Sequence, residues 1–397
     1  MTYDAHELRR QFPALAGGTA FFDGPGGTQT PSRVADAIAG TMTRPLSNRG
    51  TDTTSARNAD DVVRAGRDSL AALLGAEPAG IAFGRSATQF TTDISRALAR
   101  EWGPGDEVVV SRIDHDSNIR PWITAAADKG ATVRWIEFDR ATGDVNPDAV
   151  RDVVGERTKV VALTGASNFF GTMPDLPAIA EIVHAVGALF YVDGVHLTPH
   201  DLVDFGRVGA DLFVCSPYKF CGPHLGVLAG KPAVLEAIAP YKLAPSSNDV
   251  PERFELGTLP YEAIAGTSAA VEFLASLAGT TGTLRERLTS SYAALKAHED
   301  DVFAQLIDGL ARYDNVALIG SPARRTPTAL FTVDGFTPAE VAARLGAHDI
   351  CVGGGHFYAQ EAAAAAGLPE GGVRAGIAPY TTSGDVGRLL DGIAALG

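Results

Sequence analysis

The sequence predicts an α/β protein: a doubly wound, mostly parallel sheet of seven strands forming a large domain, followed by a smaller α+β domain. Three observations carry this expectation. Short runs rich in Val, Ile and Phe alternate with amphipathic stretches of helix length, the pattern of strands joined by crossover helices. The texture changes after Gly279, where a long helical stretch replaces the alternation. The chain has 397 residues, past the roughly 250 to 300 at which a single core stops growing.

Taken in order, the strand-like runs are Ile81 to Phe83, Glu107 to Val110, Thr132 to Phe138, Lys159 to Thr164, Ala188 to Val192, Asp211 to Cys215 and Leu225 to Ala229. Helical periodicity fills Thr88 to Glu101, Ile119 to Lys129 and Leu176 to Val186 between them. Beyond Gly279 a helical stretch runs through Arg312, followed by apolar runs at Val316 to Ile319, Ala329 to Val333 and Ile350 to Val352. The Ala-rich Glu361 to Gly367 reads as an ordinary helix. The division expected is an N-terminal arm (1–24) joining the small domain, a large ligand-binding domain (25–279) and the small C-terminal domain (280–397).

Composition narrows the function. Hydrophobic residues make up 45% and charged residues 20%, which suits a globular chain and excludes disorder. The net charge is -14, and the six lysines among 33 basic residues form no run, so nucleic acid is not an expected partner. No apolar stretch reaches the roughly 18 residues of a membrane span, and the start MTYDAHELRRQF lacks a signal-peptide layout, so no membrane association and a cytoplasmic location are expected. Cys215, Cys221 and Cys351 are too few and too irregular for a disulfide framework or a zinc site. Asp193, His196 and His200 form the best metal triplet available, but Pro199 breaks the helical face that would present both histidines, so no metal is expected.

In open parallel sheets, ligands collect outside the carboxyl ends of the strands. Asp193 follows one apolar run in ALFYVDGVH, and Lys219 follows the next in DLFVCSPYKFCGPHLG, flanked by apolar and small residues. Burial lowers a lysine's pKa and makes it a nucleophile near neutrality. A carboxylate after one strand and a lysine after the next suit pyridoxal phosphate (PLP). The lysine would hold the aldehyde as a Schiff base, and the Asp would keep the pyridine nitrogen protonated as an electron sink. The segment from Phe83 to Gln89 supplies a strand, a small-residue turn and a helix start, whose free N-H groups with the Thr88 hydroxyl make an anion site.

With these residues on the page, nearly the whole chain resembles the class V aminotransferase-fold PLP enzymes (fold type I), closest to the cysteine-desulfurase-like branch. Phe22 to Thr28 is similar to the "LDNAATT" turn, and Ser86, Ala87 and Thr88 fall in the phosphate turn. Asp114 to Trp122 resembles "EHHANIVPW", which implies that His115 stacks on the cofactor ring. Ser167 to Thr172 resembles "SNVLGT", which gives Asn168 a hydrogen bond to the phenolic oxygen. In Asp193-Gly-Val-His196 a His stands where Gln is usual, as in isopenicillin-N-epimerase-like members, and His196 inherits a contact to the same oxygen. Ser216-Pro-Tyr-Lys219 stands for "SGHK", implying Ser216 and Tyr218 as phosphate donors. Arg253 to Thr258 resembles "RFEAGT", a segment that in related dimers completes the neighbouring phosphate site, so a homodimer with Gly257 and Thr258 in that role is implied. Val373 to Tyr380 looks like "VRASLAMYNT", whose Arg clamps the substrate carboxylate; Arg374 takes that place.

One departure decides the expected reaction. Related desulfurases carry a persulfide-forming cysteine in a "GHHC" pattern, and the matching stretch here is Gly355-His-Phe-Tyr358. Tyrosine forms no persulfide. The resemblance therefore implies a PLP enzyme acting on an amino acid or amine through Lys219, of C-S lyase (β-elimination) type, with a class V aminotransferase or an epimerase or racemase as the alternative. His356 and Tyr358 are the expected substrate contacts beside Arg374.

Overall fold

The computed structural model describes residues 3–396. The chain opens with a short strand, β1 (Ala20–Phe21), and then contributes seven strands to one sheet: β2 (Ile81–Gly84), β3 (Glu107–Ser111), β4 (Thr132–Ile136), β5 (Thr158–Thr164), β6 (Leu189–Asp193), β7 (Leu212–Cys215) and β8 (Gly226–Gly230). Their order across the sheet is β2-β8-β7-β6-β5-β3-β4. Only β8 runs against its neighbours, pairing antiparallel with both β2 and β7. The seven runs expected from the sequence are these seven strands, each within two residues at its ends.

The central strands are apolar on both faces because helices cover both. Within β7, Phe213 and Cys215 face one apolar core, and Leu212 and Val214 face the other. In β6, Phe190 and Val192 join the first and Tyr191 the second. This is the two-residue period of a strand turned into two separate cores. The long helices Thr54–Leu74 and Tyr261–Ala275 close one face; Ala87–Leu98 and Arg120–Lys129 close the other.

The remaining strands are β9 (Val316–Leu318), β10 (Thr328–Val333), β11 (Ile350–Cys351), β12 (Gly353–Gly355) and β13 (Gly372–Gly376). Four of them form an antiparallel sheet in the order β12-β13-β10-β9, with a third apolar core beneath it. β11 pairs in parallel with β1, and Arg9 reaches Asp385 at 2.6 Å and the Tyr380 carbonyl at 2.8 Å, so the N-terminal segment is laced to the C-terminal part of the chain. Among the described residues, no helix is long and apolar enough to cross a membrane.

Candidate active site

With β8 alone reversed, β2, β3, β5, β6 and β7 end at one rim of the sheet, and a cavity of about 690 Å³ opens there. Lys219 reaches it from the loop after β7. That loop makes a single 3-10 turn, Pro217–Lys219, and then returns through Cys221, whose φ of 67° is a left-handed conformation uncommon for a residue with a side chain. Thr28 stitches the loop down, donating its backbone N-H to the Tyr218 carbonyl at 3.0 Å and accepting the Cys221 N-H at 2.7 Å. The Lys219 ammonium donates to the Pro25 carbonyl. Burial, helped by the nearby Arg374 charge and opposed by Asp193, lowers its pKa to about 7.

Asp193 ends β6 and opens onto the same cavity. Its Oδ1 accepts the Val195 amide at 2.9 Å, and burial raises its carboxyl to about 6. Gly194 must be glycine, since a Cβ there would lie 1.8 Å from the Phe213 ring. Behind it, Asp114 is buried against Ser111 and Asn118, whose carbonyl in turn accepts the Trp122 indole N-H at 3.1 Å. Burial first, and then the Asp193 charge, push Asp114 up to about 8. His115 lines the cavity with its pKa lowered to about 4 by burial and by Lys219 and Arg374, so its ring is neutral.

Across the rim, Ser86 caps the helix Ala87–Leu98 by accepting the Gln89 N-H at 3.1 Å, and Ser86, Ala87 and Thr88 face the cavity. The turn sits this close because β8 begins with Gly226, where a Cβ would come within 2.4 Å of the Ser86 backbone. Ser216 and Tyr218 line the same cavity from the lysine loop.

The opposite wall comes from β13 and the loop before it. Arg374 is 5% exposed. Its Nη1 donates to the Asn168 carbonyl at 2.6 Å, its Cζ lies 3.9 Å over the Phe357 ring, and its Nε has no partner. Burial lowers its pKa to about 9, still charged at neutrality. The loop is pinned at two carbonyls: Asn168 Nδ2 donates to Phe357 at 2.8 Å and the Asp116 N-H to Tyr358 at 2.7 Å. The Tyr358 ring stacks on His115 with centroids 5.4 Å apart.

Most of the expected residues thus converge, but not all. His356 is exposed and does not line the cavity; Phe357, which sequence reasoning passed over, lines it instead. Both Phe357 (φ 53°) and Tyr358 (φ 59°) are left-handed, and that twist decides which side chains turn inward. Gly257 and Thr258 are exposed and lie outside the cavity. None of the three cysteines lines it; Cys215 and Cys221 are buried, and burial pushes the Cys221 thiol up to about 12. Among the described residues no cluster suited to a metal ion occurs.

The sequence pattern of the family described as "Aminotransferase class-V" matches residues 20–389. The chain belongs to the class-V aminotransferase family. An uncharacterized Mycobacterium tuberculosis protein is 31% identical, with all of both chains covered. A probable cysteine desulfurase of Pseudomonas aeruginosa is 30% identical over 96% of each chain. The crystal structure of the Escherichia coli cysteine desulfurase CsdA superposes with a TM-score of 0.88 at 24% identity, covering 100% of this chain and 98% of that one. Class-V proteins are PLP enzymes, and PLP is the cofactor of this one. The cavity suits it: it is lined by a partly buried amine, a carboxylate with one oxygen free of protein donors, a helix start, and Asn168 and His196, whose Oδ1 and Nδ1 are buried without partners.

Proposed function

We propose that this class-V enzyme cleaves a C-S bond in a sulfur-bearing α-amino acid by β-elimination, without relaying sulfur through a cysteine of its own. The observation that carries the reading is Tyr358. By motif resemblance it stands where desulfurases carry their sulfur-accepting thiol; its loop is pinned by Asn168 and Asp116, and none of the three cysteines lines the cavity.

Roles follow from position. Lys219 would take the cofactor's aldehyde, Asp193 its pyridine nitrogen, and His115 the face of its ring. Asn168 and His196 would meet the phenolic oxygen. Ser86, Ala87, Thr88, Ser216 and Tyr218 would hold the phosphate, and the partner subunit's Gly257 and Thr258 would complete that site in a homodimer. Arg374 would bind the substrate carboxylate through its unpartnered side, with Tyr358 as a wall. When bound, PLP supplies an electron sink for the pair left at Cα. Displaced from the aldehyde by the substrate's own amine, Lys219 would be free to accept the Cα proton, a role eased by an amine whose pKa burial lowers to about 7. The Cβ-S bond then breaks with its electron pair leaving on sulfur, and water completes the conversion to pyruvate, ammonia and a thiol. Our division of the chain places an arm (1–24) with the small domain (280–397) against the cofactor domain (25–279), supported by the β1–β11 pairing.

Product analysis tests the reaction. Purified enzyme supplied with PLP and L-cysteine or an S-alkyl cysteine should release pyruvate and sulfide or the corresponding thiol in equal amounts, and with L-cystine pyruvate and thiocysteine. Alanine with protein-bound sulfur, a keto acid that retains sulfur, or an inverted substrate with no cleavage would each overturn it.

A further inference from the structure

His196 is 4% exposed and sits on the turn after β6 with one edge on the cavity. Its Nδ1 is buried there without a protein partner. The other nitrogen, Nε2, meets two hydroxyls from the opposite part of the chain: Thr328 Oγ1 at 3.0 Å and Thr326 Oγ1 at 3.1 Å, themselves 3.1 Å apart. Thr328 is the first residue of β10, and Thr326 lies in the loop before it.

That loop is held in place. Thr326 donates its N-H to the Gly171 carbonyl at 2.9 Å, and Arg325 bonds the Thr328 carbonyl at 2.6 Å and the Phe170 carbonyl at 3.3 Å. Gly171 has φ of 80°, and a Cβ on it would come within 3.0 Å of the Thr326 hydroxyl, so the approach needs glycine.

Counting protons assigns the tautomer. Both threonine hydroxyls are buried, and each proton needs an acceptor. If Nε2 accepts, Thr328 donates to it and Thr326 donates to Thr328, using only contacts of 3.0 and 3.1 Å. If Nε2 carries the hydrogen, either it donates to Thr328 and the Thr326 proton is left with the Gly171 carbonyl at 3.4 Å, or it donates to Thr326, which donates on to Thr328 at 3.1 Å, and the Thr328 proton has no acceptor. The neighbouring His200 offers no alternative partner: its ring stands edge-on at 5.4 Å, and its Nδ1 is engaged by Glu299 at 3.1 Å.

We propose that Thr326 and Thr328 are positioning residues that fix His196 as the Nδ1-H tautomer, so that the small-domain side of the chain sets a hydrogen-bond donor facing the cofactor's ring oxygen. The part concerning the ring oxygen rests on the cofactor orientation proposed above; the tautomer does not. When β10 shifts away from β6, the donor is lost, and the electronic state of the cofactor becomes coupled to the approach of the two sheets.

Nitrogen-15 NMR of histidine-labelled apoenzyme tests the tautomer without any cofactor. Wild-type His196, assigned by comparison with His196→Gln, should show a hydrogen-bearing Nδ1 and a bare Nε2. A hydrogen-bearing Nε2 overturns the proposal. Thr326→Val with Thr328→Val should give a mixed or reversed tautomer, shift the visible band of bound PLP and weaken PLP binding about tenfold, the scale of one lost hydrogen bond. Thr328→Ser should restore all three. Valine variants that keep the wild-type tautomer, band and affinity also overturn it. Lys219→Ala separates the two readings: persistence of the coloured band in that variant would refute the cofactor assignment and leave the apoenzyme tautomer standing.

Discussion

An ordinary lysine holds its proton to about pH 10.5, whereas the Lys219 amine gives it up near 7. The cause is local: removal from water, together with the Arg374 charge, outweighs the attraction of Asp193. Only the neutral amine attacks an aldehyde, so the rate at which apoenzyme captures PLP should rise through pH 7 and level off by about pH 8. Stopped-flow absorbance would measure it; a midpoint above pH 9 would show an ordinary, solvated lysine. The pairing of Lys219 with Asp193 was legible because each follows an apolar run directly, and strand ends are where a parallel sheet collects polar groups. Asp114 was not legible as an ionisable group of the site. Its raised pKa comes from closure around it, and nothing in a sequence string reports desolvation.

At the scale of single elements, the loop from β12 to Tyr358 behaves as a fitted wall. Its two left-handed residues place the Phe357 ring under Arg374 and the Tyr358 ring on His115. A guanidinium over an aromatic face gains about 0.5 to 2 kcal/mol. Phe357→Ala should therefore raise KM for substrates with an α-carboxylate about two- to thirtyfold and leave kcat nearly unchanged, while decarboxylated analogues should respond little. An equal change with both would mean that Phe357 does not hold Arg374. The sequence pointed to His356 in this loop because motif spacing counts residues along the chain, whereas a reversal of φ rotates the facing side. β12 was missed for a related reason: three consecutive glycines, Gly353–Gly355, carry no side-chain alternation from which a strand can be read. The seven strands of the main sheet were legible because apolar runs bounded by turn residues leave few other assignments.

Across the whole molecule, the N-terminal segment, the main sheet and the small antiparallel sheet meet around one cavity. The rim is also joined by charge: Glu361 bonds Arg112 at 2.9 Å and Arg120 at 3.0 Å, linking the helix after Tyr358 to the ends of the main sheet. Exposed ion pairs of this kind contribute about 1 kcal/mol or less each, so they orient the wall more than they hold it. Leu256 is 55% exposed beside Gly257 and Thr258, in a segment anchored by the buried Glu255–Arg67 pair at 2.8 Å. If that segment docks onto a second copy, Leu256→Asp should convert a dimer to a monomer in light scattering and weaken PLP binding at least tenfold. A dimer with unchanged affinity would remove the segment from the interface.

The reversed strand carries one more consequence. β8 receives the lysine loop and, at its first residue, lies against the Ser86 turn proposed above to hold the phosphate. The spacing between the lysine loop and the anion cradle is thus gauged by main chain, leaving the Lys219 side chain alone to absorb an error. Such a site measures its guest like a fixed ruler: an aldehyde lengthened by one methylene between ring and phosphate should be refused far more sharply than its small added bulk would suggest.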